Sequence, residues 1–428
     1  MTEPPHGHDD SADETPTTAA PATATEHCER GEQTGETDRT DGAKSTQPPR
    51  SYLLGATSAG FGTVALGLLV MSPLLPAIIN DLSITPFQAG AGLSIMWGLN
   101  ALGQYLGGRV SDVLGRHPVL VFGLLGLVAG VLVVTASATF LGYLVGVAFL
   151  GLFSGTYPAT GFTHLSELYA GEQGKAFGIY TSFWDIGGGL SAGLATVALA
   201  TGNWRLAFPP IIVLAVAVAL VLHSWRDESY SIERVQFDFR ATVSRALVGP
   251  EQKLLVLSFC LFMLTWQGAV SFLPTFLQVE KGLPAGVAAS AFASLFVIGM
   301  LVKPVSGNLG DRFGRLRAAL CSVAIGTVGL LALSVVESTA WILVGVAIFA
   351  VGLMSFTPPM LAYVMARLPD ANAGGDIGGF RTVYMGVGSV GPAYVGLLAD
   401  VATYGVAFVG LMLALLASAA TILAAFRY

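Results

Sequence analysis

Between Leu53 and Phe426 the chain carries twelve stretches long and apolar enough to cross a bilayer. A spanning helix needs about 20 mostly apolar residues. In hydrocarbon its backbone amides must be satisfied within the segment, which a helix of that length achieves. The stretches fall near 53–79, 87–108, 118–136, 140–165, 174–200 and 204–223, then 253–278, 285–306, 317–336, 339–365, 373–400 and 404–426. The expected fold is therefore an all-α integral membrane protein with twelve transmembrane helices. Only 11% of the residues are charged, against about a quarter in soluble domains.

Two polar segments interrupt this pattern. Residues 1–50 hold 11 acidic and 4 basic residues, a net of −7, while the remainder of the chain sums to +1. The first segment is poor in large apolar residues, so it is expected to be a disordered acidic tail. It lacks the basic and apolar regions of a secretory signal. Its His6 and His8 beside Asp9 and Asp10 read as a solvated tail or a weak metal chelate. The second segment, 224–252, places Arg226, Arg234, Arg240 and Arg245 among Phe237, Phe239 and Leu247. That pattern suits an amphipathic cytoplasmic linker. It divides the helices into a bundle at 51–223 and a bundle at 253–428.

Lys and Arg favour the cytoplasmic side of short loops. With both termini cytoplasmic, 19 of the 21 basic residues lie inside, and Arg205 and Lys281 lie outside. The chain is thus expected in the cytoplasmic membrane as a multi-pass protein.

The two bundles also repeat each other. Gly108, Asp112, Gly115 and Arg116 in GGRVSDVLGRHP recur 199 residues later as Gly307, Asp311, Gly314 and Arg315 in SGNLGDRFGRLR. GLFSGTYP at 151–158 recurs at offset 201 as GLMSFTPP, and Leu75-Pro76 recurs at offset 198 as Leu273-Pro274. Two structurally similar six-helix pseudo-repeats follow, and parallel repeats of this kind place a solute site between them near mid-membrane.

Over residues 51–428 the chain resembles the major facilitator superfamily of secondary transporters. The family's signature, roughly G-x-x-x-D-x-x-G-R-[RK] after helix 2, stands here as Gly108 to His117, with a second copy from Gly307 to Arg315. The resemblance implies a gating cluster that joins the cytoplasmic faces of the halves in the outward-facing state. Its members here are Gly108, Asp112, Gly115, Arg116, Glu167, Gly307, Asp311, Arg312, Gly314 and Arg315, with Glu167, at the cytoplasmic end of helix 4, similar to the family's acidic partner of the loop arginine. The residue types suit the task. Gly108 and Gly307 are expected to let helices approach closely, and Gly115 and Gly314 to turn the chain at positive φ. Asp112 and Asp311 are expected to face helix N-termini, and the arginines can hold carboxylates bidentately. The other reading is that these charges act as topology anchors. Because Arg312 follows Asp311 directly, the second copy reads as the fuller one, and the two are expected to be unequal.

Departures from subgroups narrow the reading. Helix 4 lacks the Arg, and helix 5 the Gly-Pro pair, that drug–proton antiporters of the family carry. Nitrate carriers of the family use arginines within helices 2 and 8, and this chain offers only Lys303, close to the inner end of helix 8.

An ionisable side chain in the bilayer is costly and is functional by default. Asp185 lies deep in helix 5 and suits proton coupling, or serves as a structural carboxylate bonded to a neighbouring helix. Arg381 in helix 11 could bind a solute carboxylate, pair with an acid or snorkel. His164 shares a helical face with Glu167 and could pass protons or make a hydrogen bond. Thr156, Tyr157, Trp266, Gln267 and Thr357 lie at mid-depth on helices that line the cavity in the family. Trp97, Asn100 and Gln104 share one face of helix 2. Each could touch solute or bond between helices.

Gly386 to Gly391 matches G-x-G-x-x-G, but inside an apolar helix rather than after a strand, so it does not mark a nucleotide site. There is no Walker loop, and the three cysteines have no metal spacing. No cofactor, metal or nucleic-acid partner is expected. The expectation is a monomeric, non-enzymatic secondary transporter that moves a small organic solute, with protons, by alternating access. The alternatives are a multidrug efflux antiporter and a transporter-like sensor.

Overall fold

The computed structural model describes residues 49–169, 172–224, 249–366 and 373–427, with the backbone alone at 373–379. The acidic tail through residue 48 and the linker at 225–248 lie outside the described residues. The first half comprises α1 (Arg50–Leu82), α2 (Pro86–Leu114), α3 (Arg116–Ala136), α4 (Phe140–Leu168), α5 (Gln173–Ala200) and α6 (Trp204–Ser224). The second comprises α7 (Pro250–Val279), α8 (Ala285–Phe313), α9 (Arg315–Val335), α10 (Thr339–Met365), α11 (Ala373–Gly388 continued by Val390–Val401) and α12 (Tyr404–Ala425). Eleven of these spans are apolar enough to be recognised by hydropathy. The other is α2, which has 29 residues. Gln88, Asn100, Gln104, Arg109 and Asp112 dilute its apolar character.

The helix ends follow local chemistry. Thr85 caps α2 in a reciprocal box, accepting from Gln88 N at 3.2 Å while its own amide donates to Gln88 Oε1 at 2.9 Å. This satisfies two of the orphan amides of the first turn. Gly115 (φ 86°) and Gly314 (φ 100°) are the turns between α2 and α3 and between α8 and α9. These left-handed values favour glycine. The signature therefore is not a loop. Residues 108–114 and 307–313 are the last turns of α2 and α8, which outrun the expected ends at 108 and 306. Hydropathy stops where charges begin, but the helix continues because Arg116 and Arg315 pair with Asp112 and Asp311 four residues earlier.

Within the first half, α2 and α4 cross at backbone contact. Gly103 faces Leu152, and Gly155 faces Asn100. The close approach near the signature falls on Gly107 and Gly310, not on Gly108 and Gly307. A Cβ at Gly107 would stand 2.5 Å from Thr156 Cα, and one at Gly310 would stand 2.9 Å from Pro359 Cβ. At Gly108 and Gly307 the nearest atoms are 3.9 Å away. The difference is helical phase: a side chain turns by about 100° per residue, and the shift is one residue in the first copy and three in the second.

The halves meet through α2 with α11, α5 with α8, and α1 with α7. Asp400 Oδ2 accepts from Phe87 N at 3.0 Å, and Ser94 Oγ accepts from Ala393 N at 2.8 Å. Ser72 Oγ donates to Val270 O. These bonds lie toward the face opposite the two signature turns, where the halves are closed against each other. On that face Arg205 donates to Thr135 O and Ser137 O and pairs with Asp81 at 2.7 Å. Lys281 donates to Val336 O at 3.0 Å. The two basic residues on the sparsely charged face each hold a carbonyl at the turn between the third and fourth helices of a half.

Candidate functional site

The seam between the halves carries a duplicated crossing. Asp185 of α5 accepts from Lys303 Nζ of α8 through both carboxylate oxygens, at 2.6 and 2.7 Å. The Asp185 side chain is 2% exposed and that of Lys303 is 29% exposed. Shifting Asp185 by 200 residues gives Met385 of α11, and shifting Lys303 back by 199 gives Gln104 of α2. Those two residues also meet, with Gln104 Nε2 donating to Met385 Sδ at 3.2 Å. The pseudo-repeat thus builds one crossing with an ion pair and the other with a neutral contact. Sequence alone placed Asp185 in the membrane and noted Lys303 without joining them.

Gln104 Nε2 also donates to Asn100 Oδ1 at 3.0 Å, and Asn100 Nδ2 donates to Ser154 Oγ at 3.1 Å. This chain ties the α2 polar face to α4. Trp97 donates to Ser271 Oγ at 3.3 Å across the seam and packs edge-on to Trp266 with centroids 5.6 Å apart. Gln267 is fully buried, and its Nε2 donates to Met385 O. Its Oε1 is buried without a partner among the described residues. Tyr157 is fully buried and donates to Thr57 O at 3.0 Å. Tyr157 therefore fastens α4 to α1 and does not face a solute here. Thr156 turns its hydroxyl to Phe153 O, and Thr357 begins the last helical segment of α10 after a break at Phe356.

An aromatic trio is duplicated beside the seam. Phe61 stacks on Tyr180 at 4.3 Å and lies 5.2 Å from Trp184. The corresponding residues of the second half, at offsets of 198, 200 and 200, are Phe259, Phe380 and Tyr384. Phe259 lies 5.0 Å from Phe380 and stacks on Tyr384 at 4.7 Å. Arg381 of α11 crosses to the first half, with its guanidinium 5.9 Å from the Phe162 ring centroid. Phe162 in turn touches Tyr180 at 4.9 Å.

At the signature face the charged contacts among the described residues stay within each half. Arg116 donates to Asp112 at 2.6 Å, to Ser111 at 2.9 Å and to Glu167 at 2.9 Å. Arg315 is bonded to Asp311 at 3.2 Å and to Ala362 O at 2.8 Å. No acidic residue stands at offsets 199 to 201 from Glu167, where the sequence reads Ala366, Arg367 and Leu368. The first copy is therefore the more fully bonded, the reverse of the sequence expectation, and Arg312 is exposed. Asp112 and Asp311 bond their own arginines. Glu167 was legible as the partner of Arg116; the missed signal was the lack of a carboxylate at its counterpart in the second half. His164 is buried, with its ring 4.7 Å from that of His117.

The family model of the Major Facilitator Superfamily matches residues 57–392 and 292–427. The inner membrane transport protein YnfM of Escherichia coli is 34% identical over 173 residues, which is 40% of this chain and 41% of that protein. The MFS-type transporter YwfA of Bacillus subtilis is 25% identical over 395 residues, 88% of this chain and 92% of that protein. The alpha-ketoglutarate permease of Escherichia coli is 28% identical over 302 residues, 63% of this chain and 67% of that protein. A bacterial homologue of the human lysosomal transporter Spinster, solved in an inward-facing and occupied conformation, superposes with a TM-score of 0.71 at 15% identity, covering 89% of this chain and 98% of that one.

Proposed function

The chain belongs to the Major Facilitator Superfamily, and from that premise we propose that it is a proton-coupled secondary transporter of a small organic solute. It works as a monomer by alternating access in the cytoplasmic membrane. The signature face is cytoplasmic in this reading, because 19 of the 21 basic residues then lie inside. Arg205 and Lys281, the two exceptions, are occupied with carbonyls of the opposite face. The halves are closed on that outer face, and among the described residues the signature charges bond within their own halves. This is the arrangement of an inward-facing state, with the inner gate released.

The observation that carries the reading is the Asp185–Lys303 pair. A carboxylate withdrawn from water needs a cation or a proton. Lys303 supplies the cation from the other half. A proton on Asp185 would replace it and loosen the seam, so proton uptake and the relative position of the halves are linked. The kinship with an alpha-ketoglutarate permease supports a small organic solute.

The test is proton flux into dye-loaded proteoliposomes, driven by a panel of organic acids added to one side. Wild-type protein should show solute-dependent proton movement, and Asp185→Asn should lose it while still exchanging solute. Full proton flux in Asp185→Asn would sink the coupling role.

A further inference from the structure

Arg381 is the charge on the seam that nothing described neutralises. Asp185 is committed to Lys303 through both oxygens. Arg381 has no acidic partner and no hydrogen bond among the described residues, and its Nε is buried. A guanidinium has five N–H donors in a planar fork and cannot shed its charge. The Phe162 ring, 5.9 Å away, attracts the cation but takes none of those donors.

Snorkelling does not account for the buried Nε. Arg381 lies eight residues after the start of α11 at Ala373, roughly 12 Å along the helix. A snorkelling side chain would run along its own helix and wet its donors. This one reaches a ring on α4 of the other half and leaves Nε dry.

The surroundings are one-sided. At offset 200 the counterpart of Arg381 is Thr181, whose hydroxyl is spent on Phe177 O at 2.8 Å. The second half therefore presents a charge where the first presents a satisfied hydroxyl. From Arg381 a continuous series of aromatic contacts runs through Phe162, Tyr180, Phe61 and Trp184. Phe162 and Trp184 are only partly buried, so each has ring surface left to cover.

We propose that Arg381 and the ring of Phe162, at the head of the series that continues through Tyr180 and Phe61, form a docking site for a planar organic carboxylate. The fork takes the carboxylate through two parallel N–H···O bonds, and the flat apolar body lies against the rings. Such a ligand bridges the halves, with its acid end held by the second and its body by the first. This inference rests on the transport reading for its purpose but on different residues for its contacts.

The experiment is equilibrium binding of radiolabelled benzoate to the full-length protein in nanodiscs, with benzamide and cyclohexanecarboxylate as comparisons. Benzoate should bind saturably. Benzamide, which is flat but uncharged, should bind about tenfold more weakly or worse, as expected when a charge-assisted pair is lost. Cyclohexanecarboxylate, charged but not flat, should bind several-fold more weakly. Arg381→Gln should lose about tenfold or more for benzoate, with Arg381→Lys intermediate. Absence of saturable benzoate binding, equal affinity for benzamide, or unchanged binding in Arg381→Gln would overturn the site. The wild-type comparison holds even if the variants misfold. Benzoate binding that depends on Arg381 without any solute-driven proton flux would leave the site standing and sink the transport reading instead.

Discussion

Asp185 and Lys303 are 118 residues apart in the chain, yet they share two hydrogen bonds of 2.6 and 2.7 Å across the seam between the halves. The same place in the other crossing is filled by Met385 and Gln104, 3.2 Å apart. Duplication supplied two equivalent crossings, and only one of them is ionic.

Removing one partner of a buried pair leaves an uncompensated charge, at a cost of about 3–5 kcal/mol. Replacing both by apolar groups of similar size is often close to neutral. Lys303→Met should therefore lower the melting temperature of the purified protein strongly, and Asp185→Leu with Lys303→Met should recover most of it. Additive losses in the double variant would show that the pair contributes no coupled stability.

The two inner clusters should differ in the sense the bonds indicate. Arg116 holds Asp112, Ser111 and Glu167, whereas Arg315 holds Asp311 and one carbonyl. Initial transport rates in vesicles should fall several-fold more for Arg116→Ala than for Arg315→Ala. Ala366→Glu should give Arg315 the missing partner and shift its variants toward the behaviour of the first copy. Equal rates for Arg116→Ala and Arg315→Ala would remove the asymmetry.

Gly107 and Gly108 separate packing from sequence signature. Alanine at 107 places a methyl 2.5 Å from Thr156 Cα, where backbone must move. Overpacking of this kind costs about 1–3 kcal/mol. At 108 the nearest atom is 3.9 Å away, and alanine can gain up to about 1 kcal/mol of helix propensity. Thermal melts in detergent should show Gly107→Ala well below wild type and Gly108→Ala at or above it.

The closed outer face can be trapped. Ser94 Oγ accepts from the amide of Ala393 on the other half, so cysteines at these two positions are close enough to bridge. With Cys28, Cys260 and Cys321 replaced, oxidation of the Ser94→Cys, Ala393→Cys variant should stop transport, and reductant should restore it. Undiminished transport with the bridge formed would show that this contact does not open during the cycle.

Much of the architecture was legible because membrane physics leaves few choices. A run of 20 apolar residues in lipid is a helix, and basic residues mark one side of it. The turns at Gly115 and Gly314 were legible as well, since the left-handed backbone there is a local property. Helix phase was harder. The signature drew the expectation of close packing to Gly108, but one residue of rotation moved it to Gly107. Tyr157 read as a lining residue from its depth, yet depth does not say which way a side chain points.

The chain by itself determined twelve spans, their duplication and the turns that join them, because hydropathy and backbone conformation are decided over a few residues. The tertiary structure alone decided that Lys303 answers Asp185 and that Arg381 has no acidic partner among the described residues. Charge compensation in a low-dielectric interior falls off over a few ångströms. It depends on which helices touch, and no local pattern records how two bundles dock.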